Sequence, residues 1–460
     1  MKKATVIGGG LVGALWSLYL TKFGYRVDVF ERRPDLQLAN TPERTSINLA
    51  ISYRGWKALE EVDLANPIRK VSIPMYGRCI HHKNEETSYQ LYDQGENAIY
   101  SVSRKAINAQ LIAAVRACSD VDFHFNEEFI HGDTSGGISV FKNSLTGKVT
   151  THSSPVTFAT DGAFSTVRQR CFLPTAGFNY QQRYIEHGYR EILLPAGPNG
   201  TFLLDKNYLH IWPRERFMLV ALPNFDGSFT CTLFMPMQGK GASFEQINTS
   251  QKATAFFQEM FPDFYQLLPN ATQNWSQIQA TSLAIISCYP WHFNQTLLMG
   301  DAAHATVPFY GQGMNCGFED CRVLANLAEN MGDNWPQIMS RFEKIRRPNT
   351  DAMQTLSLNN YRVMRSLVTN PAYVLEQRVE QCISELYPEH YFAQYKMVSF
   401  TDIPYRDALR IGNRQNTLIK IMIERYNIQL NTSPEEIAIL IEKHFKHLEH
   451  LKTDEAVELA

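Results

Sequence analysis

A glycine-rich turn near the N-terminus is the feature that most restricts how this chain can fold. Residues 4–7 form a short apolar run that is typical of a buried strand. Gly8, Gly10 and Gly13 follow it with the spacing G-x-G-x-x-G. In such a turn the first glycine makes the tight bend and the second lets the backbone approach a pyrophosphate. The third lets the following helix pack closely against the sheet.

The residues after this turn complete a strand–helix–strand unit. Residues 11–23 have a helical pattern, Gly24 ends it, and residues 26–30 have the pattern of a second strand. Glu31 falls at the end of that strand, near the roughly 20-residue distance expected for a carboxylate that accepts ribose hydroxyls. The order of these elements predicts a dinucleotide site. A glycine-rich turn with a purely structural role is the alternative.

Composition restricts the class of protein. A chain of 460 residues is too long for one simple core, so we expect two or three lobes. Its hydrophobic fraction of 44% and charged fraction of 20% are typical of globular proteins. No apolar run approaches the roughly 18 residues of a membrane-spanning helix. The formal net charge of −2 gives no electrostatic case for binding nucleic acid or an anionic membrane.

The cysteine pattern indicates a reducing compartment. The 8 cysteines are scattered and include no C-x-x-C pair, which favours free thiols over a disulfide scaffold or a zinc site. Lys2 and Lys3 precede an apolar stretch, as in a signal peptide, but the glycines and the lack of a cleavage site argue against one. We therefore expect a cytoplasmic protein without a bound metal.

The pattern of elements predicts an α/β fold with three parts. A Rossmann-like nucleotide-binding domain is interrupted by an inserted β-rich substrate domain and followed by a helical C-terminal lobe. A pocket for a ligand is expected where such lobes meet. The predicted boundaries are residues 1–70, 101–177 and 287–334 for the nucleotide-binding domain, 71–100 and 178–286 for the β-rich domain, and 335–460 for the helical lobe.

The sequence also predicts where several individual helices and strands begin and end. Ser103 is expected to cap a helix over residues 105–118, and residues 121–129 read as one strand. A helix is expected over residues 243–266. The last helix opens with a capping box and carries one apolar stripe, which suits packing onto the body of the protein. The box begins at Ser433, and the stripe comprises Ile437, Ile441, Phe445 and Leu448.

A carboxylate at the end of a later strand indicates that the dinucleotide contains a flavin. Asp301, in the motif Gly300-Asp301, is placed where it can accept hydrogen bonds from a ribityl chain. Gly311 and Gly313 then open a helix whose free N–H groups can face a ring carbonyl or a phosphate. Alone, Asp301 could be a helix cap, but a third motif between the two glycine-rich turns favours the cofactor. That motif comprises Asp161, Gly162, Ser165 and Arg168.

Together these motifs resemble the class A, single-component flavin-dependent aromatic hydroxylases, typified by para-hydroxybenzoate hydroxylase. One small departure is Ala159, where that group usually has glycine. Longer blocks are similar to the kynurenine 3-monooxygenase family in particular, and the resemblance runs from residue 4 to about residue 400. These blocks are residues 45–55, 77–81, 101–104, 208–214, 228–236 and 308–315.

The resemblance implies an activity and its cofactors. Members of this family reduce bound FAD with NADPH, react it with O2 to a C4a-hydroperoxide, and hydroxylate L-kynurenine to 3-hydroxy-L-kynurenine in tryptophan degradation. The chemistry is the cofactor's, while the protein positions the ring and excludes water. The substrate's own aromatic amine activates the adjacent carbon, so no catalytic base is assigned. The chain lacks the apolar C-terminal anchor of membrane-bound members, which implies a bacterial, cytosolic version. Separately, we expect a monomer or a homodimer.

The same resemblance implies which residues bind FAD. Glycines and backbone groups of the N-terminal turn would face the diphosphate, and the acidic and arginine residues would contact the polar parts of the cofactor. The implied residues are Gly8, Gly10, Leu11, Val12, Gly13, Glu31, Arg32, Ala50, Arg104, Asp301, Gly311, Gly313, Met314 and Asn315.

Substrate-binding residues are implied in the same way. Arg78 corresponds to the arginine that holds the substrate carboxylate, a role that suits a guanidinium fork. Tyr92, Asn360 and Tyr395 would accompany it, with Tyr405 as a rival for the position of Tyr395. An apolar wall around the ring would be formed by Phe234, Pro308 and Phe309.

Some assignments stay open at this point. His210 and His304 are possible acid–base groups, although a structural role suits His304 better and neither has an identifiable partner. A hydroxylase of another amino-aromatic acid, such as an anthranilate-like substrate, is one alternative function. A non-catalytic FAD-binding protein that senses a metabolite is another.

Overall fold

The structure is a computed structural model that describes residues 2–35, 48–92, 97–368 and 370–444. Its first sheet is mostly parallel and has six strands. Because the parallel strands share one direction, their carboxyl ends meet at the same edge. The turns that carry the three predicted motifs follow those ends. In spatial order the strands are His292–Phe293, Thr296–Leu298, Thr157–Ala159, Lys2–Ile7, Tyr25–Glu31 and Val121–Phe125.

Helices pack around this sheet, and two small sheets flank it. Trp16, Phe158 and Trp335 meet edge to face in its buried core. The surrounding helices are Leu11–Lys22, Tyr53–Glu60, Ala65–Arg69, Arg104–Ala117, Asp301–His304 and Gly313–Met331. One small sheet comprises Val149–Ser153, Ile138–Asn143 and Glu127–Asp133, and the other Leu49–Ile51, Ile99–Val102 and Ile73–Met75.

The second large sheet is mixed and has seven strands. Helices Ser250–Met260 and Pro262–Leu267 cover one of its faces, which we call the helix-covered face. The opposite face borders the cavity described below, and we call it the cavity face. The strands, in spatial order, are Thr281–Tyr289, Asn179–Leu194, Phe229–Pro236, Phe217–Pro223, Tyr208–Arg214, Gly77–His81 and Thr87–Leu91.

The C-terminal part of the described chain is helical. Its last helix begins at the predicted capping box, in which Ser433 Oγ accepts from Glu436 N and Glu436 Oε2 accepts from Ser433 N. Ile437 and Ile441 are buried there, whereas Phe445 and Leu448 lie outside the described residues. None of the described helices is both long and apolar enough to cross a membrane. The helices are Trp335–Arg362, Pro371–Leu386, Gln394–Phe400, Tyr405–Arg425 and Pro434–His444.

Two predicted elements differ from the structure, and each difference has a local cause. The helix expected over residues 243–266 begins only at Ser250, because Thr249 caps it through Lys252 N. The single strand expected over residues 121–129 is divided at Asn126, whose φ of 61° turns the chain into a neighbouring sheet. By contrast, Ser103 caps its helix as predicted, accepting a hydrogen bond from Ala106 N.

Candidate active site

A cavity of about 500 Å³ runs from the carboxyl edge of the first sheet to the cavity face of the second. All the predicted cofactor residues except Gly13 and Asn315 line it, and so do all the predicted substrate residues except Tyr92. The cavity therefore brings together residues that lie more than 380 positions apart in the chain.

The N-terminal turn forms one wall of this cavity. Gly8 has a φ of 101°, and a Cβ there would lie 2.6 Å from the carbonyl oxygen of Thr160. A Cβ at Gly13 would lie 2.0 Å from Gly8 O, so this glycine allows close packing and does not face a ligand. No side chain caps the helix that follows. Its first N–H groups are consequently available to an anion at the helix N-terminus.

Glu31 is the buried acid beside this turn. One of its carboxylate oxygens accepts a hydrogen bond from Gly9 N at 2.9 Å, and the other accepts from Arg33 Nε at 2.8 Å. Burial opposes its charge, but the hydrogen bonds and charge of Arg33 outweigh burial and lower the pKa of Glu31. Arg33, which the sequence did not single out, and the predicted Arg32 both line the cavity.

Asp161 supplies a second carboxyl group on the cavity wall. Its Oδ2 accepts from Val167 N, but its buried Oδ1 has no hydrogen-bond partner in the part of the chain that the structure describes. Burial raises the pKa of Asp161. Arg168 lies behind this loop and donates to the carbonyl oxygens of Ala163 and Ala302, each at 2.6 Å. Arg168 therefore fixes the two motif loops relative to each other without reaching the cavity itself.

The turn that begins the Gly313–Met331 helix forms the opposite wall. Gly311 has a φ of 68°, and a Cβ there would lie 3.3 Å from the Cβ of Ala50. Asn315 is fully buried and supports this contact from behind. Its Nδ2 donates to Ala50 O and Gly311 O, while its Oδ1 accepts from Ser52 N. Asn315 thus positions the residues that line the cavity.

Arg78 lies at the far end of the cavity, on the second sheet. Its guanidinium carbon is 4.9 Å from the ring centre of Tyr395 and 5.8 Å from that of Tyr92. Tyr395 stacks between Tyr92 and Tyr310, and burial raises the pKa of Tyr92 and Tyr310 well above the ordinary value. Arg78 Nε is buried and has no hydrogen-bond partner among the described residues.

The charge distribution along the cavity is uneven. Its acidic lining residues among the described part of the chain all lie on strands of the first sheet and a flanking sheet or just after such strands. They are Glu31, Glu127, Glu128, Asp161 and Asp301. None of the described lining residues of the second sheet or the C-terminal helices is acidic, so the guanidinium of Arg78 has no acidic partner among the described residues of the cavity wall around it. A site of this kind suits an anionic group of a ligand.

An apolar wall separates Arg78 from the cofactor end. Phe309 stacks on Tyr361 at 4.0 Å and meets Phe234 edge to face at 4.9 Å. Asn360 donates from Nδ2 to Phe309 O at 2.7 Å and thereby fixes this wall. Further lining residues were missed by the sequence interpretation, because the strands that carry most of them give no sign of which face borders the cavity. They are Leu209, Met218, Val220, Leu222, Thr232, Tyr310 and Met364.

Three other candidates lie outside the cavity lining. His304 is buried and hydrogen-bonded to Asp320 at 2.6 Å, which suits the structural role expected for it. His210 faces His81 on the helix-covered face. Tyr405 is fully buried and donates to Gln312 Oε1 at 3.1 Å, so of the two rival tyrosines it is Tyr395 that lines the cavity.

The residues at the cofactor end fit a flavin dinucleotide. The uncapped helix N-terminus after Gly10 suits a diphosphate, and the buried Glu31 suits ribose hydroxyls. The unpartnered Oδ1 of Asp161 and the exposed side chain of Asp301 add acceptors for further hydroxyl groups.

Comparisons with known proteins agree with this geometry. Residues 1–357 match the family model of the FAD-binding domain. Kynurenine 3-monooxygenase of Flavobacterium psychrophilum is 38% identical over 437 residues, covering 95% of this chain and 97% of the relative. The pig (Sus scrofa) kynurenine 3-monooxygenase is 39% identical, covering 88% of this chain and 85% of the relative.

The fold is also shared with solved structures. A 2-methyl-3-hydroxypyridine-5-carboxylic acid oxygenase has a TM-score of 0.65 at 20% identity, over 82% of this chain and 95% of that one. The α/β class with an FAD-binding domain and a helical C-terminal region, predicted from the sequence, is confirmed. With this fold and these relatives, the chain belongs to the kynurenine 3-monooxygenase family of FAD-dependent aromatic monooxygenases.

Proposed function

We propose that this monooxygenase hydroxylates L-kynurenine to 3-hydroxy-L-kynurenine, using bound FAD, NADPH and O2. The observation that carries the proposal is Arg78, a cation on the cavity wall with tyrosines around it and no acidic neighbour among the lining residues that the structure describes. L-Kynurenine combines an aromatic amine with an amino-acid carboxylate. It therefore suits a cavity that offers an apolar wall next to the half-buried cation of Arg78.

FAD would be held at the end of the cavity nearest the first sheet. The N-terminal turn would bind the diphosphate and Glu31 the adenosine ribose, while Asp301 would accept from the ribityl chain. When bound, FAD supplies the activated oxygen that is transferred to the substrate ring. Asn315 would keep Ala50 and Gly311 in place beside the flavin ring.

The substrate would lie between the flavin and Arg78. Arg78 would bind the carboxylate through a charge-assisted hydrogen bond, with Tyr92 and Tyr395 shielding that pair from water. Phe234 and Phe309, with Pro308, would enclose the aromatic ring and exclude water from the site of oxygen transfer. No histidine is among the described residues that line the cavity. The amine of the substrate, not a protein base, would then activate the ring.

The direct test is NADPH oxidation by the purified enzyme with and without L-kynurenine, combined with product analysis. We expect L-kynurenine to stimulate oxidation and 3-hydroxy-L-kynurenine to accumulate. Stimulation that yields only hydrogen peroxide would mean that L-kynurenine is an effector and that another ring is hydroxylated. A yellow protein that never oxidises NADPH with any aromatic acid would favour a sensor instead.

The two rival tyrosines can be separated by a matched pair of variants. We expect Tyr395→Leu to raise KM for L-kynurenine at least roughly tenfold, because it uncovers the Arg78–carboxylate pair to water and a hydrogen bond to a charged group is worth about 1.5–3 kcal/mol. Tyr405→Phe should leave KM unchanged and lower the free energy of unfolding by about 1 kcal/mol, because it loses only the hydrogen bond to Gln312. Steady-state kinetics and urea unfolding measure both effects. The reverse pattern would assign the substrate role to Tyr405.

A further inference from the structure

A cluster of three metal-ligand side chains lies directly behind Arg78, on the helix-covered face. Cys79 and His81 follow Arg78 in the strand Gly77–His81, at one and three positions from it, and residues an odd number of positions apart in a strand point to opposite faces. His210 pairs in parallel register with Cys79 on the neighbouring strand. All three side chains are buried, with exposed fractions of 1%, 6% and 2% for Cys79, His81 and His210.

The three ligand atoms lie close together. Sγ of Cys79 is 3.7 Å from Nε2 of His81, and Nε2 of His81 is 2.9 Å from Nδ1 of His210. All three atoms lie within 4.8 Å of one another. In a tetrahedral zinc site with bonds of about 2.0–2.3 Å, neighbouring ligand atoms are about 3.3–3.6 Å apart. The two histidine nitrogens need to separate by only a few tenths of an ångström to reach that geometry.

The outer hydrogen bonds fix which nitrogens carry protons. Nε2 of His210 lies 2.8 Å from the carbonyl oxygen of Asp205, which can only accept, so this nitrogen is protonated. Nδ1 of His81 lies 3.0 Å from Oδ2 of Asp263, and the same oxygen accepts from Trp212 Nε1 at 2.7 Å. Nδ1 of His81 therefore donates to a carboxylate. Neutral imidazoles then leave two lone pairs facing each other at 2.9 Å.

Two lone pairs at that distance repel and require a positive charge between them. We propose that Cys79, His81 and His210 bind one divalent transition-metal ion of the zinc type, which stabilises the strand that carries Arg78. Thiolate and imidazole are the ligands this class of ion prefers. The carboxylate and carbonyl behind the histidines are the usual outer partners of zinc-bound imidazole. On binding, the Cys79 thiol releases its proton to solvent, and a water molecule takes the fourth position.

A shared proton is the competing occupant of this position. One proton on Nε2 of His81 would satisfy both histidines and form an ion pair with Asp263, without any role for the sulfur atom. The metal ion, by contrast, uses all three atoms. Replacing Cys79 therefore distinguishes the two occupants.

The test is the cobalt content of the full-length enzyme produced in cobalt-supplemented medium and purified with its FAD. We expect one cobalt per flavin, with tetrahedral ligand-field bands at wavelengths beyond the flavin absorption. Cys79→Ser and His210→Gln should lose the metal and the bands. Cys231→Ser removes a buried thiol elsewhere in the same sheet, and His82→Gln removes a histidine bonded to Ser88, so both should keep them.

Flavin absorbance per protein reports whether each variant is folded. The cobalt content and the ligand-field bands of the unmodified enzyme test the proposal even if a variant fails to fold. Substoichiometric cobalt without ligand-field bands in the unmodified enzyme would overturn the proposal. The shared proton would then be the occupant between the two histidines. Full cobalt retention in flavin-loaded Cys79→Ser and His210→Gln would overturn it as well, because the ion would then lie at another site.

Discussion

Arg78→Met is expected to raise KM for L-kynurenine by roughly thirtyfold to several-thousandfold. Removing one partner of a desolvated charge pair costs about 2–5 kcal/mol, and each 1.4 kcal/mol is a factor of ten. Methionine keeps much of the length and the apolar contact of the arginine stem. The change therefore removes the charge and leaves the wall formed by Tyr395 and Tyr92 in place.

A matched control separates this effect from a general loss of charge. Arg216 lies in the turn between two strands of the same sheet, is mostly exposed, and pairs with Glu186 at 3.6 Å. Arg216→Met should leave KM and flavin content unchanged. Steady-state kinetics at saturating NADPH measure both variants. An unchanged KM in Arg78→Met would remove the carboxylate role from this arginine. It would also favour a substrate that binds without an anionic tail.

The parts of the site that the sequence predicted are those defined by local chemistry. The N-terminal strand, turn and helix depend on the steric needs of Gly8 and Gly13, and those needs are visible in the chain itself. The same holds for the cap formed by Ser103 and for the capping box at Ser433. Except for Gly8 and Gly13, which also pack against Thr160, the partner atoms lie within a few residues, so spacing is sufficient to predict them.

Features that depend on which face of a sheet is covered could not be predicted. Residues 217–223 are almost uniformly apolar, because the strand is buried on both faces. Only the assembled structure shows that Met218 and Val220 face the cavity, while Phe217 and Leu219 face the helices. The cluster of Cys79, His81 and His210 was missed for a related reason. Its members come from two strands that pair across more than 120 residues of chain.

A buried ion network gives the largest stability effect that we expect. Arg346 donates to Glu319 and Asp320 of the helix that opens at the cavity, and Asp320 also accepts from His304. Glu319 in addition forms an ion pair with the buried Arg54. Each of the five side chains is at least nine-tenths buried as a residue. The network therefore connects the C-terminal helix Trp335–Arg362 to the flavin end of the cavity.

Arg346→Met is expected to lower the free energy of unfolding by about 3–5 kcal/mol, because it leaves two buried carboxylates short of a partner. Arg347, the next residue, is largely exposed and pairs with Asp351 only at 3.9 Å. Arg347→Met should therefore change stability by no more than about 1 kcal/mol. Urea unfolding of the flavin-loaded enzyme measures both variants. Equal losses in the two variants would show that helix packing, not the ion network, sets the stability here.

The same network predicts a loss of stability in acid. Burial favours the neutral carboxyl groups of Glu319 and Asp320, but the charges of Arg346, Arg54 and His304 outweigh it and lower the pKa of both. Because the pKa of both carboxyl groups is lower in the folded state, their charged forms stabilise the fold. This contribution is complete above the ordinary carboxyl pKa of about 4. That contribution is lost as the pH falls from about 4 through the lowered values. Arg346→Met should unfold at a higher pH than the parent enzyme, since its carboxyl groups lack the partner that keeps them charged. Because Asp320 also accepts from Gly300 N beside Asp301, flavin release should accompany this acid transition.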